Sequence, residues 1–176
     1  MDRGRPLAEF AHRRIHEYPG AGASTMAESL DSLMVSRLGR MIMSRLGWTG
    51  LAMVEFRGAD PAEGLKLLEV NPKLWGSMDL ALASGVDFPY LAYMMSMGLE
   101  VKRPRPRIGV VHHWMGPDLE YARRSGKIMG YLRGCIDPGI RHDVDPDDTA
   151  PTALTIKRIL KRAIARLPRT GNRQCL

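Results

Sequence analysis

Residues Leu65–Ser77, LKLLEVNPKLWGS, read as a strand that runs into a turn. Glu69 and Asn71 are two positions apart. In a strand that spacing puts both side chains on one face. Upstream, Leu51–Phe56 (LAMVEF) reads as a second strand, with Glu55 near its end. Between them lies RGADPAEG, whose Gly58, Asp60, Pro61 and Gly64 are loop formers. The simplest connection is an antiparallel hairpin. If the register pairs Glu55 with Glu69, two carboxylates face each other at about 5 Å. Like charges so placed weaken a sheet. A divalent cation, Mg²⁺ or Mn²⁺, reverses the sign, because Mg²⁺ takes oxygen ligands at about 2.1 Å. Asn71 adds a neutral carbonyl oxygen, and Lys73 follows as a cation that can meet phosphate. The competing reading of the same residues is a pair of solvated carboxylates at the open end of a hairpin.

The length of 176 residues suggests one domain with a small appendage. At 44% hydrophobic, the chain can bury a core. Cys135 and Cys175 show no CxxC or Cys/His spacing, so neither a disulfide framework nor a zinc site is indicated. MDRGRPLAEF lacks an apolar signal core, and no run of eighteen apolar residues occurs. The expected setting is therefore the reducing cytoplasm, away from membranes. The net charge of +7 is concentrated in two clusters. One is Lys102, Arg103, Arg105 and Arg107. The other is Lys157, Arg158, Lys161, Arg162, Arg166, Arg169 and Arg173. No aromatic residues interleave with them, which argues against single-strand nucleic-acid binding.

Leu7–Tyr18 mixes β-compatible residues with charges and reads as a strand, followed by a glycine loop, PGAGAST. That loop has no GxxxxGK[ST] pattern and reads as a plain connection. Thr25-x-x-Glu28 fits a capping box. From Met26 to Leu46, apolar residues fall three and four apart, which predicts an amphipathic helix of about six turns stopped by Gly47. Its methionines read as core filler. Ser77 is placed to cap a short helix, Met78–Ser84, ended by Gly85. Asp87-Phe88-Pro89 opens another, closed by Gly98.

The alternating prolines of KRPRPR (102–107) forbid helix and predict an extended basic linker. Ile108–Trp114 (IGVVHHW) reads as a strand. His112 and His113 are adjacent and so point to opposite faces, and all five histidines read as structural or surface residues. A helix is predicted over Pro117–Leu132, a polar loop over Asp137–Pro151, and a last helix over Ala153–Leu167. That helix sets Ile156, Ile159, Leu160, Ala163, Ile164 and Leu167 opposite its basic residues. The acidic run DVDPDD lacks the glycine and closing glutamate of an EF-hand.

The segment EVNPKLWGS, after an apolar strand and fourteen positions beyond a strand ending in Glu55, resembles the E-x-N-P-R stretch of ATP-grasp ligases. The form is that of the carbamoyl-phosphate-synthase-like and carboxylate–amine ligase branch. Lys73 stands where Arg is usual, which keeps the charge and loses the planar fork. FAHRRIHEYPGAGAST is similar to the family's strand and glycine loop, and GVDFPYLAY to the segment that closes its domain. Residues 108–151, with Trp114-x-x-x-Asp118, resemble the tail of the carboxylate–amine branch. The resemblance spans about Gly4 to Tyr93, with the tail beyond.

The resemblance implies an α+β fold: four or five antiparallel strands with helices mainly on one face. Residues 1–100 would form the C-terminal half of an ATP-grasp domain, and 101–176 a small α/β extension. It implies ATP as co-substrate and a C–N bond made through an acyl-phosphate, from a small carboxylate and an amine. Glu55, Glu69 and Asn71 would hold the metal ions that bridge the ATP phosphates, and Lys73 would contact the transferring phosphoryl group. Arg13 or Arg14 would face the phosphates, and Trp75, Gly76 and Ser77 would line the acceptor pocket. The chain starts just past the position expected for the family's adenine-contacting hinge. It therefore reads as a C-terminal portion, inactive by itself, to be completed by a separate N-terminal half or by a second copy. The alternative is a non-catalytic protein of the same fold that binds an acidic partner through its basic clusters.

Overall fold

The computed structural model describes residues 1–58, 64–145 and 147–165, with residues 159–165 as backbone only. The first compact unit is Met1–His142, and a second begins at Asp143. In chain order the first unit holds β1 (His12–Glu17), β2 (Ser24–Ser29), α1 (Leu33–Arg45), β3 (Met53–Arg57), β4 (Lys66–Asn71), α2 (Met78–Ala83), α3 (Phe88–Ser96), β5 (Val111–His113), α4 (Met115–Ser125), α5 (Ile128–Ile136) and β6 (Ile140–His142). The class is α+β, as expected.

Strands β1, β2, β5 and β6 form one sheet in that order, and β3 and β4 form a separate hairpin. The β1–β2 and β2–β5 pairs are antiparallel. The β5–β6 pair is parallel, so the larger sheet is mixed. The parallel arrangement follows from a crossover: α4 and α5 carry the chain back to the end where β5 began.

The start of the first long helix differs from the sequence expectation. Thr25–Glu28 is not a capping box but part of β2, and the helix begins at Leu33. Ser32 is its N-cap, accepting a hydrogen bond from the Val35 amide at 3.3 Å. Thr25, Met26 and Ala27 are buried. Their pairing with β1 and β5 satisfies backbone groups that a helix would have to satisfy within itself. The predicted helix over Pro117–Leu132 is also two helices. Gly126 ends α4 at φ +71°, a left-handed turn that suits glycine. The shorter helices α2 and α3 lie where expected. Asp87 caps α3 by accepting from the Tyr90 amide at 2.9 Å.

Residues two apart on β2 share a face. On that face, Thr25 meets α4 through Asp118, and Ala27 meets α2 through Leu80. Ala27, Leu80 and Trp114 form one core cluster, and Ala81, Val86 and Phe88 form another. Phe10 packs against both. In the second unit, α6 runs over Ala150–Ala165. Its described side chains include Leu154 and Ile156, both about half exposed (55% and 53%). Lys157 and Arg158 are exposed, and the other positions expected on that helix, from 159 onward, lie outside the described side chains. Among the described residues, no helix is long and apolar enough to cross a membrane.

Candidate functional site

The β3–β4 hairpin has the register expected from its sequence. Met53 pairs with Asn71, Val54 with Val70 and Glu55 with Glu69. The ladder then shifts, with Phe56 opposite Leu67, so a bulge sits immediately beyond the carboxylate pair. A bulge sharpens the local twist and re-aims neighbouring side chains. Glu55, Glu69 and Asn71 therefore share one face of the hairpin.

The repulsion between the two carboxylates is answered in part by a cation from the larger sheet. Arg14 on β1 donates from Nη2 to Glu55 Oε1 at 2.9 Å. Its Nη1 reaches Glu17 at 3.0 Å and its Nε reaches Ser24 Oγ at 3.2 Å. Glu69 is exposed and makes no hydrogen bond or ion pair among the described residues. Asn71 is half-buried, and Lys73 is exposed in the following turn, also without an ion pair among the described residues.

These donors suit a hard cation: two carboxylates and one amide carbonyl, with Glu69 uncommitted. Among the described residues, no group of three or more His, Cys, Asp or Glu side chains is arranged to hold a metal. Any such site at the hairpin is therefore built on two carboxylates and completed by Asn71 and by oxygens from outside the protein. Arg14, Glu55, Glu69, Asn71, Lys73 and Ser77 all line one open cavity of about 1600 Å³.

Arg13, Trp75 and Gly76, the other residues singled out by sequence, line the same cavity, with other contacts of their own. Arg13 is one position from Arg14 and so projects from the other face of β1, where it pairs with Glu28 at 2.7 Å. Trp75 packs edge-on to Phe88, with ring centroids 5.2 Å apart, against the Ala81–Val86–Phe88 cluster. Its Nε1 is buried with no partner among the described residues. Gly76 is exposed, and a Cβ there would meet nothing within 4 Å. Ser77 is the N-cap residue of α2, but its hydroxyl makes no capping bond. It lies 3.1 Å from His12 Nε2 instead.

From its sequence context alone, His12 reads as a structural or surface residue. Burial, with the nearby Arg14 charge adding to it, lowers its pKa to about 4, so the ring is neutral at neutral pH. The visible signal was the alternation His12, Arg14, His16 along one strand face. Each of these three side chains anchors a different element: α2 through Ser77, β3 through Glu55, and α4 through Asp118.

The third anchor is a buried polar cluster. Asp118 is 1% exposed. Its Oδ1 accepts from Thr25 Oγ1 at 2.6 Å and lies 2.9 Å from His16 Nδ1. Its Oδ2 lies 2.9 Å from His113 Nε2. Burial pushes the carboxyl pKa up, but the hydrogen bonds from His113 and Thr25 and the charges of the two histidines outweigh it. The net shift is downward. His16 also stacks on Tyr121, centroid to centroid 4.2 Å. The cluster ties β1, β2, β5 and α4 together beside the cavity.

The β-hairpin thus presents opposed carboxylates next to a sheet that supplies an arginine. The chain belongs to the ATP-grasp family: the family model described as "ATP-grasp in the biosynthetic pathway with Ter operon" matches residues 11–115. The match takes in β1 to β5 and so every candidate site residue. Membership supports an ATP-grasp ligase-type function in general, and the family generally uses ATP and Mg²⁺. No curated protein matches the chain.

Proposed function

We propose that this chain is the metal- and phosphate-binding part of a ligase that activates a small carboxylate as an acyl-phosphate at the expense of ATP. An amine then displaces the phosphate. The observation that carries this reading is the pairing of Glu55 with Glu69 across the hairpin, with Asn71 next on the same face. A sheet gains nothing from opposing two carboxylates. A divalent cation makes the pair favourable.

In this reading Glu55, Glu69 and Asn71 hold Mg²⁺ or Mn²⁺, which when bound neutralises and aligns the phosphates. Lys73 leaves its turn free to contact the phosphoryl group in transfer. Arg14, half-buried, aims its fixed charge at the same cavity. Arg13, committed to Glu28 on the opposite face, contributes little to phosphate binding. Ser77, oriented by neutral His12, offers a hydroxyl to the acceptor, and Trp75 and Gly76 form the wall next to it. Phosphoryl transfer depends on positioning and charge more than on covalent chemistry by the protein. A site made of charges, amides and hydroxyls is suited to that work.

The test is binding of a fluorescent ATP analogue with and without Mg²⁺. Glu69→Gln should remove the part of the affinity that depends on Mg²⁺ and spare any part that does not. Undiminished Mg²⁺-dependent binding in that variant would remove the hairpin from the site.

A further inference from the structure

Arg14 is where the larger sheet meets the hairpin, and its environment is unusually complete. Each of its three guanidinium nitrogens is engaged: Nε with Ser24, Nη1 with Glu17 and Nη2 with Glu55. Glu17 is three residues away on the same strand, and Ser24 sits on the adjacent strand. The guanidinium is therefore held in place by its own sheet, independently of the hairpin. Its side chain is 29% exposed and that of Glu55 is 25% exposed, so solvent and salt screen the pair less than they would a surface pair. Asn71 adds no charge to the hairpin face, and Lys73 adds a further positive one in the next turn.

Resting on the reading of the hairpin as a metal site, we propose that Arg14 is the resident counter-ion of the Glu55–Glu69 pair. Its charge keeps the nucleotide-free hairpin from taking a divalent cation, so metal and triphosphate are captured together. Glu55, Glu69 and Glu17 carry −3, and Arg14, bonded to two of them, returns one unit of it before any metal arrives. A dication entering beside a fixed guanidinium meets repulsion as well as attraction. A triphosphate changes the sign, because its oxygens satisfy the cation and the guanidinium at once. Arg14 is equipped for that: a guanidinium has five N–H donors, and three are spent on Ser24, Glu17 and Glu55. The remainder can meet a phosphate oxygen in the planar geometry that suits arginine. Metal and nucleotide then favour each other's binding through a residue that touches both.

Electron paramagnetic resonance of free Mn²⁺ reads this directly, in the full chain, with and without a non-hydrolysable ATP analogue. Wild type should take up Mn²⁺ much more tightly with the analogue than the analogue's own metal affinity explains, and only weakly without it. Arg14→Gln should bind Mn²⁺ about tenfold more tightly without the analogue and lose about tenfold with it, a coupling of ordinary size. Arg14→Lys keeps the charge and should still exclude free Mn²⁺. If wild type and Arg14→Gln take up nucleotide-free Mn²⁺ equally, while Glu69→Gln abolishes uptake with the analogue, the hairpin reading stands and the role of Arg14 is overturned. If Glu69→Gln changes nothing, both fall. Should Arg14→Gln fail to fold by circular dichroism, wild type alone decides. Nucleotide-free uptake as tight as uptake with the analogue overturns the proposal.

Discussion

His16 and His113 grip opposite oxygens of Asp118, each at 2.9 Å, although one histidine lies on β1 and the other on β5. The carboxylate is 1% exposed, and Thr25 from β2 completes its shell. Removing the charge from such a centre strands buried donors. Asp118→Asn should therefore lower the unfolding free energy by about 3 kcal/mol in a urea titration. Asp118→Glu, which keeps the charge but lengthens the stem, should cost less than the amide does. A variant Asp118→Asn as stable as wild type would deny the cluster its structural role.

Acid should weaken the fold in two windows. His12 has its pKa lowered to about 4 from an ordinary 6.5, so the unfolded chain binds the proton more readily. Stability is then complete above pH 6.5 and falls as the pH drops towards 4, by up to about 3 kcal/mol. Asp118 has a lowered carboxyl pKa, so its contribution is present above the ordinary carboxylate value and is lost as the pH falls below it. His12→Gln should flatten the first window and leave the second. Unfolding midpoints measured from pH 7 to pH 2 separate the two, and an unchanged slope between 6.5 and 4 in that variant would refute the assignment to His12.

Ser32, not Thr25, caps the first long helix. Ser32→Ala should cost about 1 kcal/mol through loss of the cap. Glu28→Gln should show no capping penalty, because Glu28 lies in β2 and pairs with Arg13 on the surface. A larger loss for Glu28→Gln than for Ser32→Ala, by thermal unfolding, would restore the helix start expected from sequence alone.

The contrast between these positions shows what a linear sequence can reveal. The hairpin register was legible because its determinants are local: alternation fixes the face, and a loop of turn formers fixes the pairing. Helix α3 was legible for the same reason, with Asp87 and Pro89 at its start and Gly98 at its end. Strand β2 was not, because its residues repeat at helical spacing and only the neighbouring strands reveal that Thr25, Met26 and Ala27 are buried. Asp118 meets His16 across 102 positions, and Ser77 meets His12 across 65. No local pattern announces either contact. Of the candidate site, the carboxylate pair and Asn71 were readable, Arg14 was readable as one of two adjacent arginines, and His12 was passed over. The choice between Arg13 and Arg14 depended on which face of β1 turns towards the hairpin.

Glu69 should improve function at the expense of the bare fold. Its carboxylate opposes Glu55 with no partner of its own among the described residues. Without metal or nucleotide, Glu69→Gln should stabilise the protein by about 0.5 kcal/mol, the scale of a relieved cross-strand repulsion. Glu55→Gln should not, because it also strips Arg14 of a charged partner. Differential scanning calorimetry in metal-free buffer checks the sign. A lower midpoint for Glu69→Gln would mean that Glu69 is already stabilised by another group.

The account stands on Glu55, Glu69 and Asn71 gripping a divalent cation together. The most direct measurement is paramagnetic broadening of backbone amide resonances by Mn²⁺ in the presence of ATP, which registers even weak binding. Broadening should centre on residues 53–56 and 69–73 and should vanish from them in Glu69→Gln. Broadening centred elsewhere, or persisting there in the variant, would contradict the account.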